Sequence, residues 1–449
     1  MTNKKKKILF VAMHHSIHTA RWVEMVADGY ASLHMFPLDP DPHHALLRNI
    51  TIHRPSLSAA DGASPAPAPQ EPTSRSLVER IAASARDPRG ALTSAWRRFR
   101  ERPAPVPEPT SSEALVLPFQ PTVEELGGPE AAAQPTIRLG ESENAAPTLH
   151  GPGVLASVIR KVKPDLIHSM EFQHAGYLVL QAKEIIGEDF PPWLATNWGS
   201  DIFYFSRFPD HNAQIRRMLK AVDYYSCECQ RDVALAREFG FTGKTMPVLP
   251  NTGGFDLDHL ATLRSPLPPS KRKVLMIKGY EHFAGRAMTS LKVLTKFADR
   301  LRDYEVILFS VSAEPRKTAL ELAEKGVLNI RVIDWATHDE ILSCFGRARL
   351  YMGISISDAI STSVLESMAM GAFPIQTNTS CCNEWFEDGK GGFVIPPDDF
   401  DVICDRFLRA LEDDALVDAA AGINARTVAE RLDKNVLRPQ IATFYDSIL

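Results

Sequence analysis

Apolar runs alternate with amphipathic helical segments along most of the chain, and this alternation constrains the fold more than any other feature. The runs, such as KILFVAM at residues 7–13 and VLMIKG at residues 274–279, lack the polar alternation of a half-exposed strand. Unalternating strands are buried on both faces, which is typical of parallel sheets covered by helices. The pattern therefore predicts an α/β architecture.

The alternation occurs in two halves, which are joined near residues 251–265. We therefore expect two doubly wound, Rossmann-like domains facing each other across a cleft, at residues 1–255 and 256–430. The last residues, 431–449, are expected to form a helix that packs back on the first domain. Ligands of doubly wound sheets bind at the carboxyl ends of the strands, so the cleft between the domains is the predicted site.

One segment, about residues 56–152, departs from this pattern. It is rich in Pro, Ala, Ser and Glu, and it holds roughly half of the chain's 33 prolines. Proline removes backbone donors and fixes φ, which disfavours regular secondary structure. The composition predicts a low-complexity, partly disordered insertion in the first domain, with a true interdomain linker as the alternative.

Charge and cysteine content exclude several classes of protein. The net charge of -5 argues against a nucleic-acid-binding protein, since those carry a strongly basic face. The six cysteines form neither a disulfide framework nor a Cys-x-x-Cys pair. No apolar run approaches the roughly 18 residues that span a bilayer, and the N-terminal run is too short for a signal peptide.

We therefore expect a cytoplasmic protein. Two basic segments, the tetralysine at residues 4–7 and RRFRER at residues 97–102, favour peripheral contact with the anionic inner face of a membrane. The sequence carries no prediction of the oligomeric state.

The most specific motif lies in residues 357–392. Asp358 and Glu366 are separated by seven residues, and the pattern E-x-x-x-D-G-x-x-G runs from Glu384 to Gly392. Between them stand three further matched positions, Ala369, Gly371 and Pro374. This arrangement resembles the C-terminal half-site of retaining glycosyltransferases of family 4, which have the two-domain GT-B fold.

The resemblance implies roles for the acidic pair. Asp358 would approach the transferred sugar, although the family usually has Glu there, and Glu366 would accept hydrogen bonds from the donor ribose. The helix that begins near Ser361, Thr362 and Ser363 would present free N–H groups to the donor diphosphate.

A second resemblance lies in VLMIKGYEHFAGRAMTSL, at residues 274–291. Family members carry an Arg and a Lys here that neutralise the leaving nucleoside diphosphate, and Lys278 and Arg286 stand at the two ends of the loop in reversed order. Gly279 would allow a ligand to approach the backbone. The alternative is that one of the two cations caps the sheet or pairs with Glu281.

In the first half, WLATNWGSDIFYF at residues 193–205 resembles the family's H-G-S-D segment, which faces the acceptor and the donor sugar. Asn197 and Asp201 are predicted to bond sugar hydroxyls, and Trp198, which replaces the usual His, to stack on a sugar ring. The alternative for Asp201 is a helix-capping role.

Residues 14–25, HHSIHTARWVEM, follow the first strand, where the family usually has a glycine-rich loop. His18 and Arg21 are predicted to contact the acceptor or donor, and Glu171, after a later strand, to line the acceptor side. The histidines also suggest a metal site, but no acidic third ligand is evident nearby, so no metal is predicted.

The resemblance implies a metal-independent retaining glycosyltransferase with no cofactor beyond its nucleotide-sugar co-substrate, for which a UDP- or GDP-linked sugar is expected. The acceptor would be a saccharide, a lipid-linked saccharide or a small molecule, as in the synthesis of surface polysaccharides or glycolipids. Two alternatives remain open: an inactive sugar-nucleotide-binding protein and a sugar-nucleotide epimerase.

Overall fold

The computed structural model describes residues 5–29, 31–39, 41–55, 115–119 and 151–449. The strands in this part of the chain are β1 (Lys7–Ala12), β2 (Ser32–Pro37), β3 (Ile50–Pro55), β4 (Leu115–Phe119), β5 (Leu166–Met170), β6 (Trp193–Thr196), β7 (Tyr224–Ser226), β8 (Lys244–Thr245), β9 (Val274–Lys278), β10 (Glu281–His282), β11 (Gly285–Arg286), β12 (Glu305–Phe309), β13 (Ile330–Ile333), β14 (Ala348–Gly353), β15 (Phe373–Thr377) and β16 (Phe393–Ile395).

The α-helices of the same residues are α1 (Ile17–Glu24), α2 (Pro152–Val162), α3 (Tyr177–Ile186), α4 (Pro209–Ala221), α5 (Gln230–Glu238), α6 (Leu257–Leu263), α7 (Ala287–Lys296), α8 (Ala313–Glu324), α9 (His338–Arg347), α10 (Thr362–Met370), α11 (Phe400–Glu412), α12 (Asp414–Arg431) and α13 (Lys434–Asp446).

The strands form two parallel sheets, which confirms the predicted α/β class. The first sheet has eight strands in the order β4-β3-β2-β1-β5-β6-β7-β8, and the second has six in the order β13-β12-β9-β14-β15-β16. Each sheet with the helices packed against it is called a lobe below, the eight-stranded one being the first lobe. Central strands such as β1 and β14 are buried almost throughout, as their unalternating apolar sequences predict.

The strand order reverses at β1 in the first lobe and at β9 in the second. β1 lies between β2 and β5, whereas β9 lies between β12 and β14. Such reversals open a crevice at the carboxyl ends of the strands, because the following loops turn to opposite faces of the sheet. The loops after β1, β5, β9 and β14 therefore lie where a ligand is expected.

The segment predicted as a low-complexity insertion contains an ordered strand. β4 pairs in parallel with β3, with Thr51 opposite Leu115, so it forms the edge of the first sheet. Most of the segment, including the basic run at residues 97–102, lies outside the described residues. The strand LVLPF was missed because it is short and stands among proline-rich sequence.

The chain crosses between the lobes at two adjacent places. Phe255 donates its N–H to Leu432 O at 2.6 Å, and Lys434 N donates to Phe255 O at 2.9 Å. A side chain at Gly254 would collide with the backbone of Lys434, so glycine permits this close approach. After the second crossing, α13 packs on the first lobe. No helix of the described residues is long and apolar enough to cross a membrane.

A buried hydrogen-bond network fixes α13 on the first lobe. The hydroxyl of Tyr445 accepts a bond from Trp22 Nε1 at 2.9 Å and lies 2.8 Å from His168 Nδ1. His168 Nε2 lies 2.7 Å from Thr196 Oγ1, so both ring nitrogens of this histidine have partners. Complete burial lowers the pKa of His168 to about 3, and the ring is therefore neutral at pH 7.

We expect Tyr445→Phe to lower the free energy of unfolding by about 1–3 kcal/mol, because it leaves Trp22 Nε1 and His168 Nδ1 without their buried partner. Urea denaturation of the variant and of the wild type measures the difference. Tyr224→Phe, at a partly buried tyrosine of β7, is the control and is expected to change stability less. Equal stability of Tyr445→Phe and wild type would contradict a stabilising role for this network.

Candidate functional site

Five ionisable side chains from both lobes surround one space between the sheets. His18 and Arg21 belong to α1, Lys278 ends β9, and Asp358 and Glu366 follow β14. Burial lowers the pKa of His18 to about 4, and the charges of the other four residues act on it as well. His18 is thus neutral at pH 7. Lys278 and Asp358 come close together because they lie at and after the carboxyl ends of the adjacent parallel strands β9 and β14. Glu366 lies in the helix that follows Asp358.

Lys278 is the central cation of this space. Its Nζ lies 3.7 Å from Asp358 Oδ2 and donates to Ser361 Oγ at 3.5 Å. Burial lowers the pKa of Lys278, but the charge of Asp358 and other nearby groups raise it further, so the net shift is upward. The ammonium group therefore stays charged at neutral pH and can balance an anionic ligand.

Asp358 lies directly against the first lobe. Its Oδ1 accepts a hydrogen bond from Ala359 N at 3.0 Å, and a side chain at Gly199 would collide with the same oxygen. Gly199 belongs to the Asn-Trp-Gly-Ser-Asp segment that was predicted to face the sugar. The lobes therefore meet at the residue that the sequence assigns to the transferred sugar.

Further hydrogen bonds between the lobes flank this contact. Arg231 of the first lobe donates to Asp358 O at 2.9 Å and to Thr379 O at 2.8 Å. Ser357 Oγ donates to Ser200 Oγ at 3.0 Å. The backbone of the Asp358 loop is thus held from the first lobe as well as from its own sheet.

Glu366 is almost fully buried and hydrogen-bonded to His338, which the sequence analysis did not identify. His338 Nε2 lies 2.7 Å from Glu366 Oε1, and Arg21 Nη2 lies 3.2 Å from His338 Nδ1. With the proton on Nε2, the imidazole donates to Glu366 and accepts from Arg21. Arg21 also donates to Thr252 Oγ1 at 3.2 Å. Arg21 therefore lies beside Glu366, on the predicted donor side of the cleft.

The N-terminus of α10 faces Lys278. Ser361 is the N-cap residue, but its side chain makes no capping bond and instead accepts from Lys278. Thr362 and Ser363 open the helix, which has no acidic residue in its first turn. Since free N–H groups at a helix N-terminus attract anions, the lysine and the helix together suit a phosphate group.

Gly279 packs closely against the second sheet. A Cβ at this position would lie 2.7 Å from Val311 Cγ2 and 2.9 Å from Phe309 O. The missing side chain therefore admits the end of the neighbouring strand β12. The predicted approach of a ligand to the Gly279 backbone stays a prediction.

Arg286 lies on the β10–β11 hairpin and forms an ion pair. Its Nη1 is 3.7 Å from Glu281 Oε1, and its side chain is 40% exposed. Glu281 Oε2 accepts from Met288 N at 2.8 Å, which satisfies the first turn of α7. The alternative pairing considered from the sequence is therefore present, and Arg286 keeps an exposed guanidinium that can turn to a ligand.

Trp198 packs edge-on against His18, with ring centroids 5.6 Å apart. Its Nε1 is buried and has no hydrogen-bond partner among the described residues. A buried indole N–H without an acceptor is costly. Stacking of Trp198 on a sugar ring stays a prediction.

Asn197 directs its side chain to protein partners. Its Nδ2 donates to Asp232 Oδ2 at 2.8 Å, and its Oδ1 accepts from Tyr225 OH at 2.6 Å. The residue is fully buried. The amide therefore ties β6 and β7 to α5, and this placement does not bring it to a sugar.

Asp201 and Glu171 organise the loop after β5. Asp201 Oδ2 accepts from Phe172 N at 2.9 Å and from Trp198 N at 2.6 Å. Glu171, which has φ of 80°, accepts from His174 N at 2.6 Å, and its charge raises the pKa of His174 to about 9. Both carboxylates are thus bonded to backbone N–H groups, but Asp201 accepts from residues that precede it and does not cap the segment that follows.

The histidines after β1 have an acidic neighbour that the sequence analysis missed. His14 Nδ1 and His15 Nδ1 lie 3.3 Å and 2.9 Å from the Asp39 carboxylate. Arg54 Nη2 lies 2.9 Å from His14 Nε2, which must accept because a guanidinium only donates. His14 then carries its proton on Nδ1, which faces the Asp39 carboxylate at 3.3 Å without forming a hydrogen bond.

Comparison with protein families identifies glycosyltransferase signatures in both lobes. Residues 281–413 match the family model of glycosyl transferases group 1, and residues 148–228 match that of the glycosyl transferase 4-like domain. The first match includes Arg286, Asp358 and Glu366. A comparison with curated proteins gives no match.

Solved glycosyltransferase structures share the fold over the whole chain. Sucrose-phosphate synthase from Thermosynechococcus elongatus has a TM-score of 0.64 at 14% identity, covering 99% of both chains. HepE of Anabaena, solved with UDP and glucose, has a TM-score of 0.60 at 14% identity, covering 98% of this chain and 100% of its own. A glycosyltransferase from Rickettsia africae has a TM-score of 0.58 at 13% identity, covering 99% of both chains. The predicted GT-B fold is confirmed.

Proposed function

We propose that the chain is a retaining, metal-independent glycosyltransferase of family 4 that transfers a sugar from a nucleotide donor to an acceptor hydroxyl. The observation that carries the proposal is the position of Lys278. It stands at the end of the strand where the sheet order reverses, beside both Asp358 and the N-terminus of α10. A cation and a helix terminus together suit the diphosphate of a nucleotide sugar.

The donor would lie along the second lobe. Glu366 would hold the ribose, Lys278 and α10 the diphosphate, and Asp358 the sugar. Because Arg21 and His338 already contact or approach Glu366, both would lie next to the nucleoside. We expect a UDP-linked donor, in line with the UDP complex of the similar structure HepE.

The mechanism would be electrostatic. As the bond from sugar to diphosphate breaks, negative charge grows on the leaving oxygens, where Lys278 and Arg286 would neutralise it. Positive charge grows on the sugar, and the Asp358 carboxylate would stabilise it. These basic groups would take the role that a metal ion has in other transferases, so the proposal needs no metal for catalysis.

The acceptor would enter from the first lobe, past Trp198 and His18. The acceptor would be a saccharide, a lipid-linked saccharide or a small molecule. The reaction would belong to the synthesis of surface polysaccharides or glycolipids. A cytoplasmic location with peripheral membrane contact through the tetralysine is part of the same proposal.

Thermal unfolding in the presence of nucleotides and sugar nucleotides tests the binding part of the proposal. UDP, GDP, CMP and their sugar derivatives are compared, and a ligand at 100 times its Kd stabilises the protein by about 2.7 kcal/mol. We expect one nucleoside diphosphate and its sugar derivatives to raise Tm. If none of them does so, the donor site is wrongly assigned.

We expect Arg286→Ala to raise the Kd for the nucleoside diphosphate about tenfold, which corresponds to about 1.4 kcal/mol. The effect is moderate because Arg286 is part-exposed and already paired with Glu281. Isothermal titration gives the Kd, and Arg302→Ala, at an exposed surface arginine, is the control. Unchanged affinity in Arg286→Ala would remove Arg286 from the phosphate site.

A further inference from the structure

Two cysteines and a glutamate from opposite lobes meet beside the Asp358 loop. Cys229 immediately precedes α5 in the first lobe, whereas Cys381 and Glu384 belong to a short 3-10 turn in the second. Their two Sγ atoms and a carboxylate oxygen all lie within 4.8 Å of one another. Both cysteines are buried and neither forms a disulfide.

The three ligand atoms have the spacing and chemistry of a thiolate-rich metal site. Zinc bonds sulfur at about 2.3 Å and carboxylate oxygen at about 2.1 Å in tetrahedral geometry, which separates ligand atoms by roughly 3.4–3.8 Å. The observed separations need only small side-chain shifts to reach these values. Two soft sulfurs with one oxygen favour zinc over magnesium or calcium, which prefer all-oxygen sites.

A backbone hydrogen bond orients the carboxylate. Gln230 N, at the N-terminus of α5, donates to Glu384 Oε1 at 2.9 Å. This bond holds the carboxylate beside the sulfurs and leaves its second oxygen for a metal. An orienting hydrogen bond of this kind is the usual support of a metal ligand.

Charge balance also permits a divalent cation. Arg231 and Asp232 lie next to the cysteines and pair with each other at 2.8 Å, so they nearly cancel. Binding of zinc releases the two thiol protons to solvent as two sulfur–zinc bonds form. The local net charge therefore does not change, and Arg231 does not exclude the ion.

We propose that Cys229, Cys381 and Glu384 form a zinc site that joins the two lobes, with water as the fourth ligand. Ala359, which follows Asp358 directly, packs in one buried cluster with the two cysteines. A metal ion here fixes the Asp358 loop against the first lobe. The site is distinct from the proposed donor site, and its test does not depend on activity.

Titration of the reduced, metal-free protein with Co²⁺ tests the site, because thiolate–cobalt bonds give near-ultraviolet charge-transfer bands. We expect saturation at one Co²⁺ per chain, and Zn²⁺ should displace it. Cys229→Ser and Cys381→Ser should each lower the band to about half, since one thiolate of two remains. Glu384→Gln should keep the band and weaken Co²⁺ binding about tenfold or more.

Cys382→Ser is the matched control, because Cys382 is adjacent in sequence but directs its Sγ to Thr377 O at 3.7 Å. We expect its titration to equal that of the wild type. Circular dichroism of each metal-free variant checks folding, and Zn²⁺ should raise the Tm of the wild type but not of the Cys229→Ser/Cys381→Ser double variant.

Four results would overturn the proposal. The wild type gives no charge-transfer band, or the band persists in the double variant, or Zn²⁺ leaves the wild-type Tm unchanged. Formation of a Cys229–Cys381 disulfide in the metal-saturated protein, seen as a mass about 2 Da lower, would also overturn it, since the sulfurs would then not be metal ligands.

Discussion

Lys278→Met is expected to lower kcat by about 100- to 1000-fold, the loss typical of removing one preorganised group that stabilises a leaving charge. Methionine has nearly the same length but no charge. The variant therefore loses the cation at the diphosphate and leaves Asp358 without its partner at 3.7 Å. Steady-state kinetics of sugar-nucleotide turnover measures the effect, and thermal unfolding confirms that the variant is folded.

Lys273→Met is the matched control for this experiment. Lys273 immediately precedes the same strand, β9, and so lies at its amino end, whereas Lys278 lies at its carboxyl end. The Lys273 ammonium is 4.5 Å from the centroid of the Tyr304 ring. Loss of this exposed lysine should leave kcat unchanged. Turnover of Lys278→Met at the wild-type rate would show that the leaving charge is balanced elsewhere.

Asp358→Asn and Glu366→Gln are expected to separate catalysis from nucleotide binding. Asp358 is assigned to the sugar, so its amide variant should lose about 100-fold in kcat, or about 2.7 kcal/mol, and bind free nucleoside diphosphate almost normally. Glu366 is assigned to the ribose, so Glu366→Gln should weaken binding of the free diphosphate by about 5- to 150-fold, or about 1–3 kcal/mol.

The glutamine variant suits this comparison because its amide oxygen can still accept the hydrogen bond from His338 Nε2. The loss then reports on the ribose and not on a broken protein contact. Isothermal titration of both variants with the free diphosphate decides between the assignments. If Asp358→Asn loses affinity and Glu366→Gln keeps it, the roles of the two carboxylates are reversed.

The sequence predicts the fold and the core of the site because both follow from local patterns. Lys278 ends an apolar run, and Asp358 follows another, so parallel pairing of the two strands is enough to bring them together. The motif around Glu366 also predicts the helix in which this residue lies. Each of these inferences needs only the strand order expected of a doubly wound sheet.

His338 could not be predicted in the same way. The capping box of Thr337 and Glu340 marks the start of a helix in the sequence, but nothing local indicates that its first residue meets Glu366. Likewise, Cys229 and Cys381 stand on different lobes, so no short spacing reveals them. Such contacts depend on how two elements distant in sequence are packed.

Asn197 and Asp201 show a different limit. The sequence cannot distinguish a side chain that bonds a sugar from one that bonds the backbone, because amide and carboxylate groups do both. The structure directs Asn197 to Asp232 and Tyr225, and Asp201 to two backbone N–H groups. The roles of such loop residues are distinguished only by the hydrogen-bond partners that the structure shows.

The most direct test of the central claim is release of nucleoside diphosphate from a sugar nucleotide that binds in the thermal-unfolding comparison. Wild-type protein without acceptor should hydrolyse the donor slowly, and both Lys278→Met and Asp358→Asn should lose this activity while Lys273→Met keeps it. An inactive binding protein would release no diphosphate, and an epimerase inverting a hydroxyl on the sugar would convert the donor without cleaving it. Binding without diphosphate release, or release that persists unchanged in Lys278→Met, would contradict the proposed glycosyltransferase.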